Sequence, residues 1–235
     1  MKFDYDVFIE GTTVDLCIPT EDIAYHSNWY NFFNQKRITK LLEQGLFPNT
    51  REDQVAFFKS EKASKKRLLL LVITKTNRLM KGVISLSKIN FEKNTAALAL
   101  VLDDRIAPKS TRLASLESVA LITEHAFEVM MLDRIYAKQS RSLESWQRRM
   151  ELLGYRVEGI HKSDCYEKRD KKSNSVSIAC TINDYKTILE ARGSLFDNED
   201  AMLRRIKSLP KISAAAQLEK FMEKTYDEYY IKIWK

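Results

Sequence analysis

The sequence predicts an α/β protein of the α+β kind, in which helices flank a mixed, mostly antiparallel central sheet and extra helices follow at the C-terminal end. Short apolar or alternating runs between polar turns are typical of strands. Longer stretches, in which apolar residues recur every three or four positions, are typical of helices. Only the helical pattern continues beyond residue 183, so we expect one domain over residues 1–182 and a helical extension over residues 183–235.

Composition and charge narrow the class of protein. The longest apolar run, residues 67–74, is far shorter than the roughly 20 residues of a membrane span. Acids stand near the N-terminus where a signal peptide would be apolar, so we expect a cytoplasmic protein with no membrane partner. The net charge is +7, but basic residues are interleaved with acids. This pattern favours a solvated face that attracts anionic small molecules over a nucleic-acid surface.

The cysteines and histidines argue against a disulfide-bonded protein and against a metal-binding protein. Cys17, Cys165 and Cys180 are widely spaced and form no CxxC pair, and the three histidines are scattered. Because metal sites need clustered ligands, we expect no metal and three free thiols.

The N-terminal part predicts a hairpin and two helices. Residues 5–18 alternate in polarity, as in a first strand or hairpin. Thr20 precedes two acids and predicts the N-cap of a helix over residues 21–44, with a break near Asn34. Within residues 47–58 a second helix begins, with Thr50 as its N-cap and Asp53 completing a capping-box pattern.

The remaining elements follow in the order three strands, helix, strand, helix and two strands. The expected strands span residues 67–74, 79–89, 95–102, 133–139, 155–161 and 175–182, with helices over residues 109–130 and 143–154. Residues 183–194, 198–209 and 214–235 are helical in pattern. The last of these has an apolar face, which either packs on its own domain or forms a homodimer contact.

Three stretches resemble the GNAT-type N-acetyltransferase superfamily. Residues 110–139 look like its acetyl-CoA helix and the following strand. Residues 142–162, with "ELLGYRVEG", are similar to the "EKLGFxxEG" of the branch that includes ribosomal-protein acetyltransferases. Residues 29–58 look like the N-terminal helices of bacterial members that acetylate amino sugars, often nucleotide-linked. The resemblance covers residues 5–182 and implies a GNAT-like fold, with an amine attacking the thioester of acetyl-CoA.

The resemblance also implies where acetyl-CoA binds. Helix N-termini bind anions through free N–H groups, and the superfamily places the cofactor's pyrophosphate there. Its two glycines correspond to Thr111 and Leu113, and its third small residue to Ala114 or Ser115. Lys109 and Arg112 could add cationic contacts.

Further cofactor contacts are implied on both sides of that helix. The superfamily holds pantetheine and the oxyanion with the backbone of the preceding strand, here Leu100, Val101 and Leu102. Ser142 stands near the position of a motif Asn, and Arg148 matches a common basic residue.

The catalytic residues are less well defined. Asp103 and Asp104 directly follow the central strand, and His26 lies on the expected substrate helix, so each is a candidate base. Met150 replaces the Tyr that often protonates the leaving thiolate, which leaves Tyr155, Tyr166 or water as the acid. Glu117, in the first turns of the expected acetyl-CoA helix, is a further candidate base, but we interpret it as a surface residue or a partner of the helix dipole.

The acceptor site is expected on the N-terminal helices. Aromatic rings and amides can stack on a sugar or a base and bond its hydroxyls. The residues that fit are Trp29, Tyr30, Phe33, Asn34 and Asn49. The same pattern also describes a buried helix face, so both interpretations stay open.

Together these expectations describe an acetyl-CoA-dependent N-acetyltransferase whose acceptor is a primary amine, preferably an amino sugar on a nucleotide carrier. One alternative is a protein N-terminal acetyltransferase of the ribosomal-protein kind. The other is a non-catalytic acyl-CoA-binding module.

Overall fold

A computed structural model describes residues 3–40, 42, 45–103, 113–168 and 171–235. One sheet contains eight strands in the order β1-β2-β3-β4-β5-β6-β8-β7. The strands are β1 (Val7–Ile9), β2 (Val14–Cys17), β3 (Leu68–Thr74), β4 (Met80–Asn90), β5 (Thr95–Leu102), β6 (Arg134–Ser140), β7 (Arg156–Lys168) and β8 (Lys171–Thr181). Neighbours pair antiparallel except β5 and β6, which are parallel. The predicted mixed, mostly antiparallel sheet is confirmed.

Helices lie on both faces of this sheet. They are α1 (Glu21–His26), α2 (Trp29–Phe32), α3 (Lys36–Thr39), α4 (Arg51–Ser64), α5 (Ala114–Glu128), α6 (Glu144–Glu151), α7 (Ile182–Arg192), α8 (Glu199–Lys207), α9 (Ala214–Phe221) and α10 (Asp227–Trp234). Helix α5 joins the two parallel strands and packs its apolar stripe, including Leu116 and Ile122, into the larger core. Helices α1, α2 and α4 cover the other face, where Trp29, Phe32 and Phe58 form a second core.

The C-terminal helices share the larger core. Leu195, Met202 and Ala215 are fully buried in the same cluster as α5. Large side chains of α10 remain exposed instead, including Tyr229 at 59% and Trp234 at 76%. The division at residue 182 and the dimer contact stay predictions.

Two sequence-based expectations about elements were wrong. In place of one helix over residues 21–44 there are three short helices. The predicted break near Asn34 is confirmed between α2 and α3, but the break at Ser27, which ends α1 and whose Oγ accepts the N–H of Trp29 at 3.2 Å, was not predicted. Strands β7 and β8 also extend well beyond their expected ends, since their outer parts are polar on both faces and show no apolar alternation. The capping box at Thr50 is confirmed in full. Within the described ranges, no helix is both long and apolar enough to cross a lipid bilayer.

Candidate active site

A cavity opens where β5 and β6 separate. The two parallel strands pair only at Thr95–Ala97 and Arg134–Tyr136, although β5 continues to Leu102 and β6 to Ser140. Beyond those pairs both strands line a cavity of about 1170 Å³. The separation gives the site an elongated slot between two strand backbones.

The backbone of β5 presents polar groups to this slot. The N–H of Asp103 donates to the carbonyl of Lys81 on the β4 side at 2.9 Å. Peptide groups in an antiparallel pair alternate in direction, so those of Leu102 and Leu100 face away from β4. Among the strands that the structure describes, none pairs with them there. An amide-bearing ligand could therefore extend the sheet at this position.

The beginning of α5 packs in the same core as Leu100 and Leu102, and the helix lines the cavity further along, at Val119. Leu113 is only 2% exposed and belongs to the larger core, so its side chain points away from any anion at the helix N-terminus. Its N–H donates to Glu199 Oε1 at 3.3 Å. Ala114 is buried and Ser115 is half-buried, so neither adds bulk at the helix start. The predicted contacts of Lys109, Thr111 and Arg112, and the candidate base Asp104, lie outside the described residues.

Helix α6 forms another wall of the cavity. Leu143, Trp146 and Met150 line it at helical spacing, with Ser140 at the end of β6. Met150 thus places an apolar side chain where a proton donor would be expected. Ser142 and Arg148 are not among the lining residues that the structure describes. The Ser142 hydroxyl bonds that of Ser140 at 2.8 Å, and Arg148 donates to the carbonyl of Pro210.

Among the nominated catalytic residues that the structure describes, Asp103 is directly adjacent in sequence to a residue that lines the cavity. It follows the cavity-lining Leu102, is 2% exposed, and forms an ion pair with Arg37. Arg37 itself lines the cavity. The guanidinium stabilises the Asp103 carboxylate as an anion, and the pair fixes the end of β5 to α3.

His26 and Tyr155 lie elsewhere. The His26 side chain is about half exposed and lies 3.7 Å from Asp22 on the outside of α1. Tyr155 is completely buried, and its hydroxyl is 2.7 Å from Thr123 Oγ1. Burial raises the pKa of Tyr155 well above its usual value. Neither residue is among the described residues that line the cavity.

Glu117 is not the surface residue that its sequence position suggested. It is 1% exposed and accepts hydrogen bonds from the N–H groups of Thr12 and Thr13, the latter at 3.0 Å. The turn between β1 and β2 is therefore fastened to α5. This carboxylate has a structural role, because buried charge of this kind persists only when it is hydrogen-bonded.

The expected acceptor residues divide into two groups. Trp29, Phe33 and Asn49 line the cavity, whereas Tyr30 and Asn34 are not among its described lining residues. Asn34 and Asn49 exchange two hydrogen bonds of 2.7 Å each, between the Asn34 side chain and the Asn49 backbone. These amides hold the segment before α4 in place, a role that the sequence did not indicate.

The cationic side chains of the cavity wall were not predicted from the sequence. They are Arg37, Lys40, Arg67 and Lys138. Three of them also meet carboxylates outside the lining: Asp103, Glu61 and Asp164. Of the lining residues that the structure describes, Asp53 alone carries a carboxylate, and the capping box of α4 already uses it.

Two further kinds of lining residue were also missed. Gln54 and the ring of Phe57 reach the cavity from successive turns of α4. The three- and four-residue spacing of Gln54 and Phe57, and of Leu143, Trp146 and Met150, is a helical pattern that is visible in the sequence. The cations of the cavity wall follow no regular spacing in the sequence. In the described part of the chain, no group of three or more His, Cys, Asp or Glu side chains could hold a metal ion.

Comparison with known proteins shows which solved structures share this fold. No protein-family model and no curated protein matches the sequence. Solved structures do match: a GCN5-related N-acetyltransferase from Brucella melitensis has a TM-score of 0.64 at 18% identity, covering 89% of this chain and 97% of its own. Spermidine N-acetyltransferase from Vibrio cholerae, in complex with CoA and spermine, has a TM-score of 0.63 at 12% identity, covering 74% and 98%.

A third structure holds a nucleotide as well. The microcin C7 self-immunity acetyltransferase MccE, in complex with acetyl-CoA and AMP, has a TM-score of 0.60 at 18% identity, covering 72% of this chain and 93% of its own. These likenesses confirm the superfamily fold expected from the sequence and do not distinguish its branches. The chain therefore has the fold of the GNAT-type N-acetyltransferases.

Proposed function

We propose that this protein transfers an acetyl group from acetyl-CoA to a primary amine. The observation that carries the proposal is the separation of β5 from β6 beside the N-terminus of α5. Pantetheine amides can pair with the peptide groups of Leu100 and Leu102 in the slot. The N–H groups at the beginning of α5 can bind the pyrophosphate, because they point out of the helix toward its positive end.

We further propose that the acceptor is an amino sugar on a nucleotide carrier. The rings of Phe33 and Phe57 offer stacking surfaces in the cavity. The cationic wall suits phosphate groups and disfavours a polyamine, which would need carboxylates. A precedent for a nucleotide in this fold is the AMP bound to MccE. We expect the protein to meet these substrates in the cytoplasm.

The chemistry follows from the position of the groups. The amine attacks the thioester carbonyl, and a β5 peptide N–H that faces the slot, that of Leu100 for example, stabilises the oxyanion. Asp103 follows the cavity-lining Leu102 and can accept the ammonium proton, directly or through water, whereas the Asp53 carboxylate in the cavity wall is already used by the capping box of α4. Because Met150 cannot donate a proton and Tyr155 is buried, we expect water to protonate the thiolate.

A thiol-release assay with acetyl-CoA tests the proposal. The acceptors are a nucleotide-linked amino sugar, the free amino sugar, spermidine and a peptide with a free N-terminus. We expect turnover with the nucleotide-linked sugar, and with the free sugar at a higher KM. If only spermidine or only the peptide is acetylated, the proposed amino-sugar acceptor is wrong but the proposed acetyltransferase activity stands. Calorimetric binding of CoA without any turnover would instead favour the non-catalytic module.

A further inference from the structure

The C-terminal extension reaches the proposed cofactor site. Glu199 is the first residue of α8 and accepts the N–H of Leu113, the residue that precedes α5. This N–H belongs to the helix N-terminus that would bind the cofactor's pyrophosphate. A carboxylate from this chain therefore lies where a phosphate oxygen is expected.

The position of Glu199 is fixed by its surroundings. The N–H of Leu195 donates to Glu124 Oε1 on α5 at 3.2 Å. Met202, one turn further along α8, is fully buried in the core around α5. Asn198 caps α8 by accepting the N–H of Ala201 at 2.9 Å. The first two contacts hold α8 against α5 and the cap defines the first turn of α8, so the backbone of Glu199 has a defined position from which its carboxylate reaches the N–H of Leu113.

We propose that Glu199 competes with the pyrophosphate of acetyl-CoA for the N-terminus of α5, and that the C-terminal extension thereby lowers the affinity for the cofactor. This inference rests on the proposed function. Two anions cannot share one N–H group without repulsion, so cofactor binding requires Glu199 to withdraw or to remain nearby at an electrostatic cost. The carboxylate supplies the anion that stabilises the helix N-terminus when no cofactor is bound.

Calorimetry with CoA on the full chain tests the competition. Glu199→Gln removes the charge and keeps an oxygen acceptor, whereas Glu199→Ala removes both. We expect either variant to bind CoA about three- to tenfold more tightly, the range of a single charge at a helix terminus. Asp200→Asn is the matched control, because Asp200 is the exposed next residue of α8, and its dissociation constant should equal that of the wild type.

The outcomes separate this inference from the proposed function. Equal affinity in all four proteins, or weaker binding in both Glu199 variants, would overturn the competition while leaving a CoA-binding protein. Weaker binding would mean that Glu199 supports the site by shaping α5. If no protein binds CoA, the proposed function and the inference fail together. Thermal unfolding without CoA should show no increase in Tm for either variant, so that tighter binding is not a consequence of a more stable fold.

Discussion

Asp103 and Tyr155 were both predicted from the sequence to transfer protons, but their neighbours in the structure give them different roles. Both are almost completely buried. Asp103 is joined to Arg37 at the edge of the cavity, whereas Tyr155 is joined to Thr123 inside the core. The first can therefore influence a bound amine, and the second can act only on stability.

Replacing Asp103 by Asn tests its proposed part in proton transfer. We expect Asp103→Asn to lower kcat by about 100-fold or more, the usual contribution of a positioned acid–base group, with an unchanged dissociation constant for CoA. The matched control is Asp15→Asn, since Asp15 is also buried and pairs with Arg78 at 3.0 Å. That variant should lose stability and keep kcat. An Asp103→Asn protein with wild-type kcat would remove Asp103 from the mechanism.

Tyr155→Phe tests the alternative acid. Losing the hydroxyl leaves Thr123 without this partner, so we expect the free energy of unfolding to fall by about 1 kcal/mol in urea titrations. Because its pKa is raised by burial, Tyr155 stays protonated throughout the assay range, and kcat and its pH profile should not change. Loss of turnover in a folded variant would show that the phenol contributes to catalysis.

At the scale of elements, helix α4 connects local sequence to the cavity. Its capping box is complete, with Thr50 accepting the N–H of Asp53 at 3.1 Å and Asp53 accepting that of Thr50 at 3.0 Å. The helix then carries Gln54 and Phe57 into the cavity wall. Thr50 thus helps to position two residues of the cavity wall, on the side where we propose that the acceptor binds.

Thr50→Ala should lower the free energy of unfolding by about 1 kcal/mol, the usual cost of losing an N-cap, and should raise KM for the acceptor. Thr181→Ala is its control, because Thr181 forms the same capping box on α7, which carries no cavity-lining residue. Urea titration should give both variants a similar loss of stability. Steady-state kinetics should show the KM effect in Thr50→Ala only, and equal KM values would contradict the positioning role.

Sequence predicted well those elements whose cause is local. The capping box at Thr50 and the apolar stripe of α5 are readable within one or two helical turns. The break near Asn34 was predicted, but the end of α1 at Ser27 and the Asn34–Asn49 pair, which joins residues 15 positions apart, were not. The cavity is harder to predict, because it depends on where β5 stops pairing with β6. No local sequence pattern indicates where that pairing ends.

At the scale of the whole molecule, the C-terminal helices differ in what they contribute. Helices α8 and α9 bury Met202 and Ala215 in the core around α5, while α10 leaves Tyr229 and Trp234 exposed. Residues 183–235 lie outside the sequence resemblance, so their packing against α5 could not be transferred from known relatives.

Two deletions test this difference. Removing residues 195–235 takes Leu195 and Met202 from the core, and each buried side chain of this size contributes about 1.5–3 kcal/mol. We expect that protein to lose cooperative thermal unfolding. Removing residues 227–235 takes no residue from the two described core clusters, and it breaks the Lys162–Asp227 surface ion pair of 2.8 Å, worth about 1 kcal/mol or less.

The shorter deletion should therefore unfold cooperatively, with a Tm within a few degrees of the wild type. Sedimentation of the same pair of proteins tests the predicted homodimer. Dissociation on removal of α10 would support a contact there, and a wild type that is already monomeric would contradict it. Loss of folding in the shorter deletion would show that α10 has a structural role.

The separation of β5 from β6 gives this sheet an edge in its interior. Open edges usually lie at the outside of a sheet, where they recruit foreign strands and promote aggregation. Here α5 and α6 wall the edge, so that access is through the mouth of the cavity. A pantetheine arm lying against Leu100 and Leu102 would take the place of a missing strand. The cofactor would then be part of the architecture as well as a reactant, and the empty protein would be the form most exposed to unwanted pairing.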